Sequence, residues 1–240
     1  MRAGRTAVLI DIGFSARETC RRLALVGAVP EDLSAILITH EHSDHVAGAA
    51  VASRRWGVPL LCRGEVARAA RFDARNTGAR EELPEGSFQL GDLQVTPFQV
   101  PHDAVDTIGL ILEGEGIRAG YATDLGCSTP EVEKSLENCH VLAVEANHDV
   151  EMTREGPYPW HLKERILGTR GHLSNEAAAD LLVRVIGPET QEVLLAHISE
   201  TNNAPELALV AVRAGAERSC QPRVRVTAAE QRRPSAPIRL

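Results

Sequence analysis

Residues 39–45 read Thr39-His40-Glu41-His42-Ser43-Asp44-His45 and end an apolar run, residues 35–39 (AILIT). Three imidazoles and a carboxylate packed this closely cannot be core residues, because the carboxylate would be stranded away from water. At the end of a strand they can converge. His40 and His42 alternate onto one side of an extended chain, while Asp44 and His45, past a turn, face a second point nearby. Neutral imidazole and carboxylate are donors for zinc, manganese or iron, and two facing points suit two adjacent cations better than one. An exposed polar loop that binds nothing is the bland alternative. It fits an isolated histidine far better than this cluster.

Such side chains need rigid elements behind them. Residues 6–12 (TAVLIDI) read as a buried strand closed by Gly13, and Ser15 with Glu18 forms a capping box for a helix over 16–26 that stops at Gly27. The spacing predicts a strand at 35–39, a helix at 46–56, an extended piece at 58–62 and a helix at 65–72. Residues 88–121 read as strand throughout, with Gly114-Glu115-Gly116 as a hairpin turn. Helix is expected at 130–137, strand at 141–145, and helix at 175–186 between Ser174 and Gly187-Pro188. A strand at 192–197, a helix at 205–214 and a strand at 223–228 close the chain. No repeat or linker interrupts the alternation, so residues 1–240 are expected to form a single domain of two similar halves.

Composition bounds the partners. The chain has 240 residues, 43% hydrophobic and 25% charged, an ordinary soluble balance. No apolar run approaches the roughly 20 residues of a membrane span, and the start lacks a secretory core. Cys20, Cys62, Cys127, Cys139 and Cys220 form no Cys-x-x-Cys pair, so neither a zinc knuckle nor a disulfide framework is indicated, and the expected compartment is the cytoplasm. The net charge of −7 argues against a broad phosphate-neutralising face, and 3% aromatics against an extended base-stacking platform.

The His-x-His-x-Asp-His pattern after an apolar strand resembles the metallo-β-lactamase superfamily of metallohydrolases. Asp11 with Gly13, His102 in Val-Pro-His-Asp, Asp124 in Ala-Thr-Asp-Leu-Gly and His197 in Leu-Ala-His-Ile-Ser follow in the family's order. Within the superfamily the detailed match is to the WalJ/YycJ-type branch. It rests on residues 10–15 (IDIGFS), 101–104 (PHDA), 145–149 (EANHD), 158–160 (YPW), 170–175 (RGHLSN) and 195–203 (LAHISETNN). The resemblance implies an α+β fold, a four-layer αβ/βα sandwich with a dinuclear site. In it His40, His42 and His102 hold one metal, Asp44, His45 and His197 the other, and Asp124 bridges. Members of the branch begin with a strand and a Ser/Gly-rich loop ahead of the strand at 6–12. This chain opens at the end of that region, so either its start lies upstream of Met1 or the usual first strand is missing, which leaves a neighbour unpaired.

The function implied is a phosphodiesterase with two divalent ions, zinc or manganese with iron as an alternative, acting on nucleic acid and most simply a DNA exonuclease working from the 5′ end. Two metals neutralise phosphoryl oxygens and acidify water, and Asp44 with Asp124 could orient that water. Their local charge explains how an acidic chain attracts phosphate. Glu145 and His172 resemble the glutamate–histidine couple of the ribonuclease Z branch, with His172 as general acid and Glu145 orienting it. For His172 a helix cap before Ser174 is the alternative. His148 is a further candidate substrate contact or simply a polar loop residue, whereas His161, beside Trp160, is expected to pack and His140 has no assigned role. The cations of 154–170 (Arg154, Lys163, Arg165, Arg170) read as a lid on a phosphate backbone or as a solvated helix face. Rival functions are a ribonuclease, a hydrolase of a small ester, thioester or lactam, and a non-catalytic module that kept the fold. The full ligand set opposes the last, and Glu145 with His172 opposes the small-substrate reading.

Overall fold

The computed structural model describes residues 1–73, 75–218 and 224–240. Among them the chain forms two compact units: residues 1–97, 104–108 and 112–116, and residues 98–103, 109–111 and 117–240. The fold is α+β, with strands in two sheets.

The first unit carries a five-stranded sheet in the order β1-β2-β3-β4-β5: Arg2–Ala3, Thr6–Ile10, Ala35–Leu37, Leu60–Cys62 and Arg80–Glu82. A two-residue antiparallel strand borders β2, and the remaining pairs are parallel, with Val8 beside Ala35 and Ile36 beside Leu60. Between the strands lie α1 (Ala16–Leu25), α2 (Ser43–Val46), α3 (Ala49–Trp56) and α4 (Gly64–Ala69), followed by the antiparallel hairpin β6 (Phe88–Leu90) and β7 (Leu93–Gln99), then β8 (Ile108–Gly114). Ile12, Ile36, Ile38, Leu60, Val66 and Phe72 are the larger members of this unit's core.

The second unit is built on four parallel strands in the order β12-β11-β10-β9: Arg225–Ala228, Glu192–Ala196, Val141–Glu145 and Ile117–Ala122. Runs such as VLAVE and EVLLA are the nearly continuous apolar strands expected of a parallel sheet buried on both faces. Its helices are α5 (Pro130–Leu136), α6 (Val150–Glu155), α7 (Trp160–Leu167), α8 (Asn175–Val185) and α9 (Pro205–Arg218). Leu142, Val144, Leu181, Leu182, Val193 and Leu195 pack in its core. The register sets Val144 beside Ala122 and Glu145 beside Ala196. The carboxyl ends of β9, β10 and β11 are therefore level, which is where parallel sheets assemble ligand sites.

Most elements match the sequence expectations, with several differences. The helix expected over 46–56 breaks at Ala47-Gly48, because Gly48 N–H donates to Ile12 O and a Cβ there would lie 1.9 Å from Phe14 O. The continuous strand expected over 88–121 opens at residues 100–107, the stretch that carries His102. The strand Arg80–Glu82 and the helix α6 were not expected, and α7 lies in the stretch 154–170, for which a helix face was one of two readings. Arg223, the expected start of the last strand, lies outside the described residues, as does Cys220. The four described cysteines are free thiols. Among the described residues no helix is long and apolar enough to cross a membrane.

Candidate metal centre

In the first unit the histidine cluster follows β3. Asp11 lies just past β2 and organises it. Its Oδ1 accepts from Thr39 N–H at 2.8 Å, and its Oδ2 accepts from Thr39 Oγ1 at 2.8 Å and meets His45 Nδ1 at 2.8 Å. Since the Thr39 hydroxyl spends its one proton on Asp11, its 3.0 Å contact with His40 Nδ1 requires that imidazole to donate. His40 and His45 thus carry a proton on Nδ1 and present the Nε2 lone pair as ligand atom, the usual outer-shell arrangement of metal-binding histidines. His42 occupies the position before the short α2, whose single turn carries Asp44 and His45. The ring of His40 lies 4.8 Å from that of His42 and 4.1 Å from that of His45. His40 and His45 are buried, whereas the Asp44 side chain is 64% exposed. Gly13 makes the close approach possible: a Cβ there would stand 1.6 Å from Asp44 O.

In the second unit the strand ends bring together Asp124, Glu145, His172 and His197, whose ligand atoms all lie within 4.8 Å of one another. Glu145 is fully buried and saturated. Its Oε1 takes His172 Nδ1 at 2.9 Å and His197 Nδ1 at 2.7 Å, while Oε2 accepts from Leu125 N–H and Leu173 N–H at 3.1 and 3.0 Å. Burial pushes its carboxyl up, but the hydrogen bonds from His172 and His197 outweigh this and hold it at about 2. Burial likewise lowers His172, and the Glu145 hydrogen bond overcomes it and raises the imidazole above its ordinary value. His102 donates through Nδ1 to Gly171 O at 2.9 Å, and burial lowers its pKa, favouring the neutral form a ligand needs. Asp124 Oδ1 sits 3.5 Å from His197 Nε2 and 3.9 Å from His102 Nε2, contacts longer than a hydrogen bond and consistent with a carboxylate and imidazoles sharing a cation. The donor set of both units thus suits divalent metal ions.

Three anchors have strained backbones: Asp11, Asp124 and His197 have φ of 56°, 59° and 54°. Left-handed geometry in non-glycine residues is found where a site over-determines it. Asn147 is a residue the sequence did not single out for a role. Its Nδ2 donates to His197 O at 2.8 Å and lies 3.4 Å from His197 Nδ1. An asparagine after a strand reads as an ordinary turn residue, so its type carried no signal.

Other expected residues fall differently. His148 is 1% exposed, which corrects its reading as a substrate contact: a macromolecule cannot reach a residue so deeply buried. His161 is exposed beside an exposed Trp160, rather than packed. His140 Nδ1 accepts from Arg118 N–H. The cap before α8 is the Ser174 hydroxyl, not His172. The cations of 154–170 are largely engaged within the fold: Arg165 pairs with Asp103, Arg170 donates to His102 O at 2.9 and 2.6 Å, Lys163 is buried against Arg154 O at 2.6 Å, and Arg154 pairs with Glu151.

Residues 6–198 match the family model of the beta-lactamase superfamily domain. The chain belongs to that superfamily. Among curated superfamily members it is similar to the exodeoxyribonuclease WalJ of Streptococcus pneumoniae, 36% identical over 214 residues, spanning 87% of this chain and 79% of that protein. It is also similar to the exodeoxyribonuclease YycJ of Bacillus anthracis, 34% identical over 208 residues, 85% of this chain and 79% of that one. Among solved structures it resembles the metallo-beta-lactamase fold protein YhfI from Bacillus subtilis with a TM-score of 0.71 at 17% identity, over 95% of this chain and 86% of that one. The superfamily fold is thus common to sequence and structure.

Proposed function

We propose that this chain is a metal-dependent phosphodiesterase that removes nucleotides from the 5′ end of DNA. What supports this reading is the one carboxylate that anchors both His172 and His197, in a chain similar over most of its length to two exodeoxyribonucleases. His40, His42 and His102 would hold one divalent ion, Asp44, His45 and His197 a second, and Asp124 both. Zinc or manganese fits such donors, and iron is a further option. When bound, the ions supply positive charge for the phosphoryl oxygens and acidify water. Asp44, the exposed carboxylate of the set, would hold and orient the attacking water. His172 delivers the proton to the departing oxygen. Glu145 favours its protonated form and fixes the ring, and its buried position keeps bulk water from competing for those bonds. The four free thiols are in keeping with work in a reducing cytoplasm.

The test uses metal-loaded protein with end-labelled single- and double-stranded DNA and RNA. Mononucleotides released from the 5′ end of DNA alone support the proposal. Equal or faster degradation of RNA turns it into a ribonuclease, and turnover of thioesters without any nucleic-acid cleavage overturns it. Asp44→Ala is expected to lose metal, measured by elemental analysis. His172→Ala is expected to keep its metal and lose activity about 10²–10⁴-fold, the ordinary worth of general acid catalysis.

A further inference from the structure

A cavity of about 390 Å³ opens inside the second unit, with His172 and His197 on its wall. Its volume lies in the range of small-molecule sites, roughly 300–1,000 Å³. Leu162, Ile166 and Ile198 supply an apolar wall and Tyr158 an aromatic ring. Asn147, Ser199, Thr201 and Gln231 add neutral donors and acceptors. Apart from His172, whose charge the buried Glu145 balances, the charged lining residues are Arg165 and Glu200, and Arg165 is paired with Asp103. The lining is thus close to balanced in charge. A pocket built for a phosphate would collect uncompensated cations or converging backbone N–H groups. This one instead combines apolar faces, a ring and neutral polar edges, which is the chemistry of a nucleoside.

We propose that this cavity receives the terminal nucleoside of the strand being degraded, the base lying against Tyr158 and Leu162 with its edge and sugar toward Asn147, Ser199, Thr201 and Gln231. The proposal rests on the phosphodiesterase reading above and names the part of the substrate that this reading leaves unassigned. The position suits the role, because the walls that include His172 would set the first phosphodiester beside the proton donor once the terminal base is seated. A ring and aliphatic faces grip any base through its π-face, so such a pocket recognises an end without reading a sequence. It also gives a physical reason for working from an end: an internal base would have to leave its stack, with chain running on from both of its sides, to enter the cavity. Trp160, 62% exposed at the start of the helix that supplies Leu162 and Ile166, offers a second ring to the strand outside.

The experiment compares 5′-labelled DNA ending in an ordinary nucleotide with DNA ending in an abasic tetrahydrofuran nucleotide, using the metal-loaded enzyme. The abasic end is expected to have kcat/KM at least tenfold lower. Tyr158→Ala and Leu162→Ala, both at half-buried positions, are expected to shrink that discrimination to threefold or less. Equal rates on the two ends, or discrimination unchanged in both variants, would overturn the nucleoside pocket while leaving the phosphodiesterase intact. Binding is measured in parallel by calorimetry, independent of turnover. A deoxynucleoside monophosphate is expected to bind the wild type at least tenfold more tightly than deoxyribose 5-phosphate, and Tyr158→Ala to lose that advantage. Equal binding of the two probes sinks the pocket. Base-dependent binding without cleavage of any phosphodiester, including bis(p-nitrophenyl) phosphate, sinks the enzymatic reading and with it the role assigned to the pocket.

Discussion

Glu145 has no exposed surface and four hydrogen-bond donors on two oxygens, so its charge is held by geometry rather than by water. Replacement by glutamine keeps the shape but puts an NH₂ where an acceptor is needed, leaving donors facing a donor. Glu145→Gln is expected to lose at least about 10²-fold in kcat, the lower end of general acid catalysis. The pH profile gives the sharper readout. If His172 is the proton donor proposed above, it must be protonated to act, and activity falls as pH rises through its pKa. Glu145 raises that pKa, and its loss should move the alkaline limb to lower pH. A limb that stays in place would remove the pairing from the mechanism.

His148 makes a separate case at the same scale. Its Nδ1 is buried with no hydrogen-bond partner among the described residues, and burial lowers its pKa. The folded state therefore keeps the ring neutral while the unfolded chain takes a proton below about 6.5. The stability this neutral ring allows is complete above that value and is lost as pH falls below it. Between pH 6.5 and 5 the wild type should lose up to about 1.4 kcal/mol per pH unit more than His148→Gln. Denaturant melts of both proteins at pH 7 and 5.5 would show it, and parallel slopes would refute it. The imidazoles of the centre were legible because their spacing is so improbable in a core. Asn147 and Thr39 were not, since asparagine and threonine beside strand ends are ordinary.

At the scale of elements, capping and register carry the site. Ser15 Oγ accepts from Glu18 N–H and Ser174 Oγ from Ala177 N–H, so both serine caps formed where the pattern put them. The Glu18 carboxylate pairs with Arg21 and Arg22 rather than closing the expected box. Elements marked by exposed residues or by breakers were poorly visible. Arg80–Glu82 is an exposed edge strand without an apolar face, and Gly156, Pro157 and Pro159 cut α6 and α7 to one or two turns each. The helical period was also blind to Gly48, where backbone contact rather than propensity ends the helix. Gly13 shows how costly such contacts are to disturb. A methyl group there meets a backbone carbonyl that cannot swing aside, so Gly13→Ala must displace either β2 or the turn carrying Asp44 and His45. The expected cost is about 1–3 kcal/mol or more of stability, with weaker metal retention. Gly27→Ala is the control. Its Cβ meets nothing within 4 Å, so only its φ of +73° opposes the change, and the metal content should not move. Urea melts with elemental analysis separate the two.

At the scale of the molecule, charge limits how much of a nucleic acid this chain can hold. Against 33 acidic side chains it has 26 basic ones, and the cations on and around α7 are turned to internal work: Arg165 to Asp103, Arg170 to His102 O, Lys163 to Arg154 O. A long cationic track is not available from those side chains. On the proposed function, attraction to phosphate then comes chiefly from the divalent ions that the histidines and carboxylates suit, and is expected to cover the scissile phosphate and about one neighbour. Counterion release turns this into a number. Each contacted phosphate of a single strand adds about −0.7 to the slope of log affinity against log salt, and of a duplex about −0.9. Two contacts predict that kcat/KM, measured below saturation, drops about tenfold between 50 and 200 mM salt. A protein with 6–10 contacts would lose about 10³–10⁵ over the same range. A loss of that size would mean that a broad basic surface guides the strand, and that seating the end, rather than neutralising the backbone, is not what selects the substrate.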